Sequence, residues 1–127
     1  MAELTTADLI WNRACGSEFV SPLAGDLALE ALLLAHGYVM NGGVFHAVEG
    51  IDAELFADAQ AGYRYFGFDE VADLLNEAKS AFDAGGDLEL LEAEFDDQYG
   101  ELIPEDSVLI ERFEDHLRQN PAEFEPP

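Results

Sequence analysis

Between Asp83 and Asp115 the chain carries Asp83, Asp87, Glu89, Glu92, Glu94, Asp96, Asp97, Glu101, Glu105, Asp106, Glu111, Glu114 and Asp115, with Arg112 as the only cation. Carboxylates at this density can act as an acid–base pair, hold a metal ion, or present a polyanionic surface. Abundance alone does not make an acid–base pair, which needs two carboxyls in different surroundings and a substrate pose. Glu89, Glu92 and Asp96 fall at i, i+3 and i+7, a spacing that stacks them along one exposed stripe of a helix. Like charges so placed destabilise a helix by a few tenths of a kcal/mol each. Selection for stability alone would interleave lysines there, yet Lys79 is the chain's single lysine.

The other chemistries lack their residues. His36, His46 and His116 have no partner at the i, i+4 spacing of a zinc helix, and Phe113, not Glu, precedes His116 by three. Asp83, Asp87 and Glu94 match positions 1, 5 and 12 of a calcium loop, but Leu88 stands where glycine is required and Gly85 stands at position 3. Two helix-flanking acids account for them better. There is no GxSxG motif and no phosphate-cradling glycine loop. Cys15, inside a helical pattern, reads as a small buried hydrophobe. His36, within an apolar helix, reads as a satisfied core histidine. The chain is therefore expected to be non-catalytic, with neither cofactor nor metal.

Twenty-eight acids face five basic side chains over 127 residues, a formal charge of −23. Five of those acids and Arg13 lie in residues 1–48; the other twenty-three, with Arg64, Lys79, Arg112 and Arg118, lie in residues 49–127. Direct nucleic-acid binding needs the opposite sign. A chain of this mass exposes roughly 6,700 Å² when folded. If residues 49–127 cover about half, they show one net negative charge per roughly 175 Å², against one per roughly 110 Å² on duplex DNA. A basic DNA-binding groove would be drawn to such a surface. The bland alternative is acidity for solubility or high salt, with no specific partner.

Apolar residues at 49% of the composition argue against disorder and for one domain, residues 1–127, ending in a Pro-rich tail, 121–127. The longest apolar run, Ala31 to Ala35, is far too short to span a membrane. A start without a signal-peptide pattern and a lone cysteine suit the cytoplasm.

The period is helical nearly throughout, which predicts an all-α bundle of about six to seven helices. Leu4–Cys15 is expected to form the first, capped by Thr5 or Thr6 and stopped by Gly16. Asp26–Met40, apolar on all sides, should be the central buried helix. Asn41, Gly42 and Gly43 then break the chain, and Val44–Glu49 makes a short turn. Asp52 caps a helix to about Phe66 with Leu55, Phe56, Ala59, Tyr63 and Phe66 inward. Phe68, Val71, Leu75, Ala78 and Phe82 face inward on the next, stopped by Gly85-Gly86. Asp87 caps a helix through Leu91, Phe95 and Tyr99. A last helix after Pro104 carries Ile110, Phe113 and Leu117 and closes at Asn120-Pro121.

The Asn41-Gly42-Gly43 break after an apolar helix, the helical pair beyond it, and the acidic stretch ending in Arg118-Gln119-Asn120-Pro121-Ala122-Glu123-Phe124 resemble the bacterial DNA mimic protein family of the DMP-nineteen type. The likeness runs from about Asp26 to Phe124. The family's Phe-x-Gln-Tyr pattern after the glycines is replaced by Val44-Phe45-His46-Ala47. The resemblance implies an all-helical domain, able to form a homodimer, whose carboxylates imitate DNA phosphates on a transcription factor's DNA-binding surface. The carboxylates expected to meet the partner are Asp87, Glu89, Glu92, Glu94, Asp96, Asp97, Glu101, Glu105 and Asp106; Asn41, Gly42 and Gly43 are expected to be structural. A basic nuclease toxin, met by an immunity- or antitoxin-like inhibitor, is the alternative partner.

Overall fold

The computed structural model describes residues 4–16 and 21–127, and among them forms seven α-helices and one closing 3-10 turn, with no strand. The helices are α1 (Thr6–Cys15), α2 (Ala24–Gly42), α3 (Val44–Gly50), α4 (Ala53–Tyr65), α5 (Asp69–Ala84), α6 (Leu88–Leu102) and α7 (Asp106–Gln119). The turn is Pro121–Glu123. The all-α expectation and the helix order hold throughout.

Local chemistry explains the boundaries. Thr5 and Asp8 form a reciprocal capping box at the start of α1. Asp87 accepts a hydrogen bond from the Leu90 amide at the start of α6. Asp52 occupies the cap position of α4 but makes no side-chain cap bond. Of the three residues expected to break the chain, Asn41 and Gly42 continue α2, and the break is Gly43 alone, at φ +95°. Only glycine takes that conformation without strain. The helix is therefore two residues longer at each end than its apolar run.

Two aromatic clusters tie the bundle. Phe45 of α3 lies 5.5 Å from Phe82 of α5 and 5.7 Å from Phe95 of α6. Phe113 of α7 packs against Trp11 of α1, Phe66 after α4, and Phe124 of the tail. Arg112 stacks over Phe68 and donates to the Phe66 carbonyl, so α7 closes the orphan end of α4. Between the clusters, Leu29 and Leu32 of α2 and Phe56 and Tyr63 of α4 are fully buried.

Four apolar residues of the helices expected to be buried face outward instead. Leu55 is exposed on α4, and Leu27, Leu34 and Met40 are exposed on α2. An apolar composition all round a helix does not bury it all round when neighbours cover only one side. Cys15, the last residue of α1, is also exposed.

The tail is a strap, not a loose end. Asp26 accepts from the Arg13 guanidinium at 3.0 Å, the Ser21 hydroxyl at 2.8 Å and the Glu125 amide at 2.8 Å, at 2% exposure. Arg13 also donates to the carbonyls of Glu125 and Pro126. Phe124 is buried so closely over Gly25 that a Cβ there would lie 2.6 Å from its ring. Breaking one side of a buried ion pair costs about 3 to 5 kcal/mol, and truncating a buried Phe costs about as much. Asp26→Ala and Phe124→Ala are each expected to lower the unfolding free energy by an amount in that range, read as a lower urea midpoint with the m-value unchanged.

Candidate acidic binding surface

The structure divides the nine sequence-predicted carboxylates into two groups. Asp96 turns inward. Its carboxylate accepts a 2.7 Å hydrogen bond from the Val44 amide at the N-terminus of α3, and a Cβ on Gly43 would come within 2.9 Å of its oxygen. Capping with a charge-assisted bond holds α3 against α6. Asp106 accepts a 2.8 Å hydrogen bond from His36, although it is itself 66% exposed. Asp87 caps α6, and Glu105 accepts from the Ser107 hydroxyl. The Glu89, Glu92 and Asp96 stripe is therefore not a free surface: Glu92 is half-buried and Asp96 is engaged.

Glu89 is exposed near the start of α6, and the other free acids lie on another side of the helix. Phe95 and Tyr99 point into the core. About 100° of turn per residue places Glu94, Asp97 and Glu101 on the opposite face, at i, i+3 and i+7, and all three are exposed. Among the described residues, no ion pair reaches any acid of α6. The cations are engaged elsewhere: Arg13 with Asp26, Arg64 with Asp69 and Asp73, Lys79 with Asp83, and Arg118 with Asp115. Asp83 and Asp87 thus have separate structural partners at either side of Gly85-Gly86, as helix-flanking acids.

Sequence reading correctly made His36 a satisfied core residue but could not supply its partners. The Asp106 carboxylate can only accept, which for a neutral imidazole sets the direction of a buried relay. His36 donates from Nε2 to Asp106, Tyr99 donates at 2.7 Å to His36 Nδ1, and Tyr63 donates at 2.6 Å to the Tyr99 hydroxyl. Four helices, α4, α6, α2 and α7, meet in this chain. It ends on the fully buried Tyr63 and serves to fix the start of α7 beside α6. The partners lie 63 and 70 residues from His36, too far for any local pattern to reveal.

Burial pushes the Tyr63 and Tyr99 hydroxyls well above the usual tyrosine range. Burial, and then the bond to Glu123, does the same at Tyr65. Above about pH 10 the unfolded chain gives up phenolic protons that the folded chain retains, so stability is full below that pH and falls as pH rises through it. Tyr99→Phe is expected to flatten that alkaline loss. It should also cost about 1 to 2 kcal/mol at neutral pH, because His36 and Tyr63 lose a partner. Urea titrations at pH 7 and at pH 9 to 11 measure both effects.

The two groups of acids should also separate by stability. Asp96→Ala is expected to cost about 1 to 2 kcal/mol as a lost helix cap. The combined change of Glu94→Gln, Asp97→Asn and Glu101→Gln should leave stability unchanged or raise it by a few tenths of a kcal/mol per relieved pair. Thermal melts of both variants at low salt report the difference.

Among the described residues, no helix is long and apolar enough to cross a membrane, and no three His, Cys, Asp or Glu side chains gather as a metal cluster would require. No curated protein and no solved structure matches the chain. The family described as DMP19-like protein matches residues 24–125, from the first turn of α2 to the strap that closes on it. With its central helix, its Gly43 break, α6 and the closing tail all inside that match, the chain belongs to the DMP19-like protein family.

Proposed function

We propose that this protein is a non-catalytic, cytoplasmic binding protein whose acidic face occupies the DNA-binding surface of a basic protein such as a transcription factor. The observation that supports it is the exposed row of Glu94, Asp97 and Glu101, on a helix whose acids pair with no cation among the described residues. Those carboxylates step along the helix by roughly 4.5 and 6 Å, against about 3.4 Å of axis per phosphate on one DNA strand. The molecule exposes 7326 Å². If residues 49–127 cover half of it, they carry one net negative charge per about 190 Å², within a factor of two of duplex DNA. A guanidinium fork that donates to phosphate oxygens donates to carboxylate oxygens with the same geometry.

Attraction between exposed charges fades beyond a Debye length of about 8 Å at physiological salt and about 3 Å at 1 M. Capture of the partner should therefore be rapid at low salt and lost at high salt. The variant that tests the reading is Glu94→Lys with Asp97→Lys and Glu101→Lys, because Asp96 is committed to the fold. Immobilised protein in native host extract is expected to retain a DNA-binding protein that duplex DNA displaces, and the triple variant, still folded, is expected to release it. Retention undiminished by the three lysines removes the reading. A retained nuclease in place of a transcription factor would make the protein an immunity- or antitoxin-like inhibitor acting through the same surface.

A further inference from the structure

On the side of α2 turned away from His36, the described residues leave an apolar furrow uncovered. Leu27 lies about 180° around the helix from His36 and Leu34 about 160°, so the furrow opens opposite the Asp106 and α6 side. Leu27, Ala31 and Leu34 recur at four- and three-residue steps along one wall, and Leu55 of α4 stands on the other. Leu27 is 50% exposed, Leu34 38% and Leu55 47%. Their floor is fixed by the close crossing of α2 and α4 at Gly62, where a Cβ would lie 2.5 Å from the Ala28 carbonyl oxygen. The space between the walls is about 440 Å³.

The shape and the charges together select an occupant. A groove between two crossing helices, with leucines seven residues apart, accepts the apolar face of a third helix two to three turns long. The ionisable carboxyls lining it are Glu30 and Asp58, and none of its lining residues is basic. Burial and then Asp26 push the Glu30 carboxyl up against the opposing pull of Arg13, and no side chain lining the furrow brings a cation to this rim. A second copy of the chain does not suit the furrow. A two-fold seam would bring Glu30 and Asp58 against the same acids of the partner, between two molecules of formal charge −23 each.

We infer that the α2–α4 furrow is a docking site for an amphipathic helix of another protein, one with leucine-like residues at three- and four-residue steps flanked by lysine or arginine. The site is separate from the acids of α6, and it stands whether or not those acids meet a DNA-binding protein.

The test uses synthetic helical peptides of about sixteen residues, with leucines at i, i+4, i+7 and i+11, flanked by lysines in one peptide and by glutamates in its twin. Fluorescence anisotropy at physiological salt is expected to show the lysine peptide binding the wild-type protein, and the glutamate peptide binding at least about tenfold more weakly. Leu27→Ser with Leu34→Ser should weaken the lysine peptide by about tenfold or more. Both side chains are exposed, so circular dichroism should be unchanged. The Glu94→Gln, Asp97→Asn, Glu101→Gln variant should bind the peptide as the wild type does, which separates this site from the acidic face. Asp58→Lys should shift preference toward the glutamate peptide. The inference is overturned if neither peptide binds, or if the serine variant binds like wild type while the α6 variant does not. It is also overturned if sedimentation shows a wild-type dimer that the serine variant dissolves, since a second copy would then be the occupant.

Discussion

Twenty-eight carboxylates repel one another across a molecule with only five basic side chains, and the fold depends on where those few cations go. Three of the five join separate elements. Arg13 joins the first helix to α2 and to the tail, and Arg112 closes the end of α4 under α7. Arg64 draws α5 toward α4, while Lys79 and Arg118 each serve an acid one turn away. With the cations so placed, no ion pair among the described residues reaches the acids of α6. Its position rests on Phe95 and Tyr99 in the core, on the Asp87 cap and on the bond from Val44 to Asp96.

Much of this order was legible in the residues. Three- and four-residue spacing of apolar side chains gives every helix, and glycines at positive φ mark the breaks at Gly43, Gly67, Gly85 and Gly86. What could not be read is which neighbour covers which side. Leu27, Leu34 and Leu55 have the same local signal as Leu29, Leu32 and Phe56, yet only the latter are buried. Burial is settled by the crossing of α2 and α4 at Gly62, a contact between residues more than thirty positions apart. The lone acid at the start of the apolar helix, Asp26, did carry a signal, since a carboxylate among leucines needs partners. Its partners, Arg13 and the tail, are supplied only by the tertiary fold.

The acidic stretch teaches a related distinction. In sequence, Glu89, Glu92, Glu94, Asp96 and Asp97 are equivalent members of one run. In three dimensions a turn of 100° per residue separates them, so Asp96 holds the start of α3 while Asp97, its neighbour, faces solvent. Asp106 has both characters, exposed on one side and hydrogen-bonded to the buried His36 on the other. An acidic surface of this kind is thus partly scaffold. The carboxylates that support it cannot be exchanged freely, whereas the exposed ones can vary with the partner.

The strap has a bearing on the order in which the molecule assembles. Arg13 reaches the Pro126 carbonyl across 113 residues of chain. Closing so long a loop costs chain entropy that rises only with the logarithm of its length, but such distant pairings slow the search for the native arrangement. Phe124 and Glu125 can seat only after α2 presents Gly25 and Asp26 and α7 presents Phe113. The tail thus draws α1, α2 and α7 into one joint, and no one of the three can shift without disturbing the seat of Phe124 or the bonds of Arg13 and Asp26.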